Sequence, residues 1–164
     1  IKKRKKGNIK NAEVIGFGAL KYGILKVSPE KNVVFDWKNA LNFEGETGPY
    51  IQYAYARANS ILEKEKIKEK VDISLLDKKE EVELIKKLGE FPNIVNESLK
   101  QLKPSIIANY AYGVAKLFSE FYHNHNVLKA EKELKTARLI LVKCTKQVLK
   151  SSLNLLGIEA PLKM

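Results

Sequence analysis

An all-α fold, built as a helical bundle, is what this sequence predicts, and three observations carry the expectation. Apolar residues recur at helical spacing along most long segments, strand signals are negligible, and Pro or Gly stands where helices would start or stop. The chain has 164 residues, 45% of them apolar, which is enough for a sizeable core. A net charge of +11 on so apolar a chain argues for a folded protein that meets a polyanion, not for disorder. The charge is uneven: +7 over residues 1–26, −2 over 27–100 and +6 over 101–164.

The chain opens on IKKRKKGNIK, a basic run, and AEVIGFGALKYGILKV follows as a helix. Val14, Phe17, Leu20, Ile24 and Leu25 form its apolar face, and Gly16 and Gly18 either weaken it or permit close packing. SPEKN is a turn around Pro29, VVFDW is a short extended piece, and Asp36 caps a brief helix through Trp37, Leu41 and Phe43. Gly45 and Gly48 bracket the start of the next helix, with Pro49 in its first turn. The charged stretch after Leu62 reads as solvated surface, with Asp77 as N-cap of a helix using Val82, Leu84, Ile85 and Leu88. Phe91 to Leu102 form another short helix. Pro104 opens a longer one, on which Ile106, Ile107, Tyr110, Val114, Leu117, Phe118 and Phe121 fall at helical spacing. The last helix runs from near Glu131 to about Leu156, stopped by Gly157 and then Pro161.

Catalytic chemistry has no foothold. There is no phosphate-binding GxxxxGK[ST] loop and no dinucleotide glycine fingerprint. His123 and His125 have no Ser or Cys partner in context, and two residues apart they make a weak metal pattern, so no metal site and no catalytic residue is expected. The single cysteine, Cys144, excludes an intrachain disulfide and is expected to be a buried structural thiol. No run is apolar and long enough to span a bilayer, and no secretory signal opens the chain, so a cytoplasmic home and no membrane partner are the expectation.

Two stretches carry binding chemistry. In TGPYIQYAYARANSIL, Tyr50, Ile51, Ala54, Ala58, Ile61 and Leu62 share a core face, while Tyr53 and Arg57 stand at its edge beside Tyr50. Rings beside a guanidinium suit unpaired bases, which stack on the rings while the arginine reaches phosphate. Tyr122, in FYHNHNVL, lies off the core stripe of its helix and is expected to be exposed. On the last helix Lys132, Lys135, Lys143, Lys146 and Lys150 share one side, opposite Leu134, Ala137, Leu141, Val148 and Leu155. That stripe would neutralise phosphates without reading sequence.

These same stretches resemble the C-terminal region of a class I arginyl-tRNA synthetase with its DALR-type anticodon-binding domain. Three blocks carry the likeness in order: GFGALKYGILKVSPEKNVVFDWKNALNFEGETGPYIQYAYARANSIL, PSIIANYAYGVAKLFSEFYHNHNVL and ELKTARLILVKCTKQVLKSSLNLLGIEAPLKM. The resemblance implies residues 1–45 as a helical segment leading from a catalytic domain and residues 46–164 as the anticodon-binding bundle. It implies an anticodon site at Tyr50, Tyr53, Arg57, Tyr122 and the chain-ending Met164, which cradle splayed bases of arginine tRNA. Arg138, in LKTARL, fits the name motif without its leading acid, and Tyr55 stands where many relatives have histidine. The catalytic motifs of the class are missing, so the resemblance implies a tRNA-binding, monomeric part of an arginine–tRNA ligase that is inactive alone. ATP and Mg would belong to the absent catalytic domain, and no cofactor to this chain. The rival reading is a helical protein-interaction domain with a basic surface.

Overall fold

The computed structural model describes residues 9–65 and 71–164, and the opening run KKRKKGN lies outside them. Seven α-helices form, with no strand among the described residues: α1 (Ile9–Leu25), α2 (Trp37–Ala40), α3 (Gly48–Leu62), α4 (Lys79–Gly89), α5 (Phe91–Gln101), α6 (Pro104–Asn124) and α7 (Lys132–Leu155). A 3-10 turn at Ile73–Leu75 precedes α4. The all-α bundle expected from the sequence is the fold observed.

Helix ends follow local chemistry. Pro49, Pro92 and Pro104 all sit in first turns, where a missing N–H costs nothing. Asp36 caps α2 by accepting from the N–H groups of Lys38 and Asn39 at 3.1 and 3.2 Å. That helix stops at Ala40, so Leu41 and Phe43 fall in the following loop and not on the helix expected for them. Thr47, unmarked in the sequence reading, caps α3 by accepting from the N–H of Tyr50 at 3.3 Å. The cap of α4 falls on Lys78 and not on Asp77, because the Glu81 carboxylate reaches back to the Lys78 N–H at 3.1 Å. At the end of α7, Gly157 adopts a φ of 65°, the left-handed turn that favours glycine.

α3, α6 and α7 form the centre, with α1 against α3 and with α4 and α5 against α6. Ile51, Ala54, Ala58 and Ile61 of α3 meet Val114, Phe118 and Phe121 of α6 and Leu139, Val142, Leu149 and Leu153 of α7 in one core. Tyr55 joins that core, which removes it as a surface contact.

Helix α1 buries a different face from the one expected. Ile15, Ala19 and Tyr22 point inward, whereas Phe17 is 61% exposed and Ile24 45%. The reason is its close crossing with α3. A Cβ at Gly48 would collide with the Gly18 backbone carbonyl, and one at Gly18 with the Gln52 amide. Backbones this near leave no room for a Cβ at the crossing itself, so Gly18 lies on the inward side between Ile15 and Tyr22, and Phe17 next to it turns outward. Cys144 is exposed and not buried as expected, and Leu155 of α7 and Ile85 of α4 are exposed too.

Candidate nucleic-acid interface

Helices α3 and α6 bring Tyr53, Arg57 and Tyr122 together. Tyr53 and Arg57 are one turn apart on α3, and the guanidinium donates to the Tyr53 hydroxyl at 2.9 Å. Its central carbon lies 4.6 Å from the Tyr53 ring centroid and 4.8 Å from that of Tyr122. Both distances are within cation–π range. Both tyrosines are 39% exposed, as the edge position of Tyr53 and the off-stripe position of Tyr122 predict. The result is an arginine held between two open rings from two helices.

Tyr50 stands a turn back and is more committed to packing. Its hydroxyl donates to Ser119 Oγ at 3.2 Å, and its ring tilts against Tyr112 at 5.6 Å. It thereby ties α3 to the face of α6 that carries Tyr122.

The chain end runs along another flank of α3. Gln52 donates to the Glu159 carbonyl at 2.9 Å and Asn59 to the Leu162 carbonyl at 3.1 Å, which straps the tail down. On a helix turning about 100° per residue, Gln52 and Asn59 lie at least that angle away from Tyr53 and Arg57. Met164, 38% exposed, ends this strap.

The lysines of α7 separate into two kinds. Lys132, Lys143 and Lys150 are exposed. Lys135 pairs with Glu65 at 3.0 Å, and Lys146 donates to Asn59 Oδ1 at 2.6 Å while lying 5.7 Å from the Tyr55 ring. Lys146 thus fastens α7 to the same asparagine that holds the tail. Burial pushes the Tyr55 phenol above its ordinary pKa, so it stays neutral beside that ammonium. Lys143, Lys146, Lys150 and Gln147 of α7 line a hollow of about 670 Å³ together with Tyr55, Leu62, Glu65 and Leu162. Because Tyr55 is two residues from Tyr53, this basic hollow opens on a different flank of α3 from the tyrosine–arginine group.

A polar cluster at the end of α6 escaped the sequence reading. Arg138 of α7, buried, donates from Nε to Glu81 Oε1 of α4 at 2.7 Å, and Glu81 is wholly buried. Arg138 Nη2 also lies 3.4 Å from His125 Nδ1, and His125 Nε2 meets Glu80 at 3.0 Å. An arginine can only donate, so the neutral tautomer that fits this contact accepts at Nδ1 and carries its proton on Nε2, facing Glu80. The hydrogen bond from His125, ahead of one from Asn124, holds the Glu80 carboxyl below its ordinary range. One signal was available: Arg138 is the only charged residue in the buried run from Thr136 to Val142, where a charge needs a partner. Among the described residues no cluster of His, Cys, Asp and Glu could hold a metal, and no helix is long and apolar enough to cross a membrane.

Open rings flanking a guanidinium, with a lysine-lined hollow on the next flank of a helical bundle, define a class of helical module suited to unpaired RNA. Residues 51–164 match the DALR anticodon binding domain, and the chain belongs to that family. It is 52% identical to an arginine–tRNA ligase of Clostridium botulinum over 93% of its own length and 28% of that protein. Against an arginine–tRNA ligase of Pyrococcus abyssi the identity is 47%, over 93% of this chain and 25% of the other. The fold superposes on the arginyl-tRNA synthetase of Thermus thermophilus with a TM-score of 0.91 at 33% identity, covering 99% of this chain and 29% of that one. For the Plasmodium falciparum enzyme the TM-score is 0.82 at 30% identity, over 94% of this chain and 28% of that one. The chain therefore spans little more than a quarter of the length of these relatives.

Proposed function

We propose that this chain is the tRNA-binding part of an arginine–tRNA ligase and that it reads the anticodon loop of arginine tRNA. The observation that carries the reading is Arg57 held between the open rings of Tyr53 and Tyr122. Unpaired bases stack on these rings, Arg57 is placed to meet a neighbouring phosphate, and Tyr50 braces the two helices behind them. Lys132, Lys143 and Lys150 hold RNA backbone on the adjacent flank, with Met164 and the engaged Lys135 and Lys146 at its margin. Residues 1–45 connect this module to a catalytic domain that uses ATP, toward which it positions the acceptor end. The family and the names of the relatives support the partner, since anticodon binding is what the domain is named for.

The test is a filter-binding titration of an arginine tRNA transcript with the chain and its Tyr53→Ala variant. A stacked base contributes on the order of 1–3 kcal/mol, so the variant should bind about tenfold more weakly. Equal affinities would remove the ring site. Binding that survives nuclease treatment of a pulled-down partner would point instead to a protein-interaction domain.

A further inference from the structure

The tyrosine–arginine group does not end at Tyr53. Phe43, in the loop between α2 and α3, sets its ring 6.5 Å from that of Tyr53 at an interplanar angle of 87°, and it is 37% exposed. Phe43 lies outside the residues matched by the family and outside the apolar periodicity of any helix.

Its backbone is fixed on both sides. The Asn42 side chain accepts from the Glu44 N–H at 2.9 Å, and the Asn42 carbonyl accepts from the hydroxyl of Thr47, the cap of α3. Lys26 holds the next turn by donating to the Glu46 carbonyl at 2.9 Å. The loop thus presents a phenyl ring to water beside Tyr53, from a backbone tied to the helix that carries Tyr53. An isolated exposed ring needs no explanation, but one continuous with Tyr53, Arg57 and Tyr122 extends an open π surface across three elements.

We propose that Phe43 is a further base-binding residue, on whose ring an unpaired nucleobase stacks next to the base on Tyr53. This rests on the reading of Tyr53 and Tyr122 as base-stacking residues. The near-perpendicular rings dictate the arrangement. Bases on Phe43 and Tyr53 are turned about a right angle to each other, so the strand is splayed at this step and not continuously stacked. The ligand class is therefore two consecutive unpaired nucleotides in a turned loop.

The experiment uses an anticodon-arm hairpin of arginine tRNA as probe. Phe43→Leu keeps an apolar side chain and removes the π face, and its affinity should fall about fivefold to tenfold, with Phe43→Trp restoring it. Trp37 is the only tryptophan, so Phe43→Trp in a Trp37→Phe background carries a single indole at the proposed contact. Its fluorescence should be quenched by the hairpin and much less by a hairpin abasic throughout the loop. If Phe43→Leu weakens binding without that quenching, Phe43 acts only through Tyr53 and the proposed contact is overturned. If Tyr53→Ala weakens binding while Phe43→Leu does not, Phe43 binds no base and the Tyr53 site stands alone. Loss in neither variant overturns the base-stacking reading and this proposal with it.

Discussion

Arg138 on α7 and Glu81 on α4 meet at 2.7 Å inside the bundle, with the glutamate wholly shielded from solvent. The second Glu81 oxygen takes the Lys78 N–H, so one carboxylate caps α4 and anchors α7 at once. Removing either partner strands a charge in the interior, which costs about 3–5 kcal/mol. Arg138→Met and Glu81→Leu should each lower the urea midpoint steeply. The double variant should recover most of the loss, since apolar replacement of a buried pair is often neutral. Equal destabilisation in single and double variants would show that the pair is not what matters there.

Glu80 predicts a pH dependence. Its carboxyl is held below the ordinary range chiefly by the hydrogen bond from His125. A depressed folded pKa stabilises the fold above the ordinary glutamate value of about 4.3, and that contribution is lost as pH falls through the lower folded value. Wild type should therefore exceed Glu80→Gln in denaturation midpoint at pH 6, and the gap should shrink as pH falls below about 4.3. A gap that persists undiminished at pH 3 would assign the effect to something other than ionisation.

The close crossing of α1 and α3 sets Gly48 apart from Gly16. A Cβ at Gly48 meets the backbone of Gly18, which cannot move aside, whereas one at Gly16 meets nothing within 4 Å. Gly48→Ala should cost about 1–3 kcal/mol through overpacking. Gly16→Ala, mid-helix and unopposed, should be neutral or stabilising by up to about 1 kcal/mol. Chemical denaturation of the two variants side by side checks the contrast.

The basic flank makes a prediction about salt. Replacing Lys132, Lys143 and Lys150 by Gln should flatten the slope of log affinity for arginine tRNA against log salt by up to about three phosphate contacts. Lys146→Gln should change that slope less and thermal stability more, because its ammonium is bound to Asn59. A slope unmoved by the triple change would mean that these lysines face only solvent.

Much of the candidate site was legible because it depends on one helix at a time. Tyr53 and Arg57 are one turn apart, so their shared edge follows from helical pitch, and Tyr122 falls off its core stripe by the same arithmetic. Phe43 was not legible, since a loop has no period, and its closeness to Tyr53 arises from the turn fastened at Thr47. The buried Arg138–Glu81 pair was only half visible: an arginine in a buried run asks for a partner, but the residue that answers is 57 positions away.

By itself, the sequence determined that the described residues form seven helices, roughly where each begins, and which helices carry the rings and the lysines. Those properties rest on residue spacing, proline and glycine, which act within a turn or two. The tertiary structure alone decided which side of α1 turns inward, which lysines are already engaged, and that the chain end and the basic hollow lie on a different flank of α3 from Tyr53 and Tyr122. These depend on how closely two backbones can approach and on which side chain, distant in sequence, arrives opposite, and helical periodicity carries no information about either.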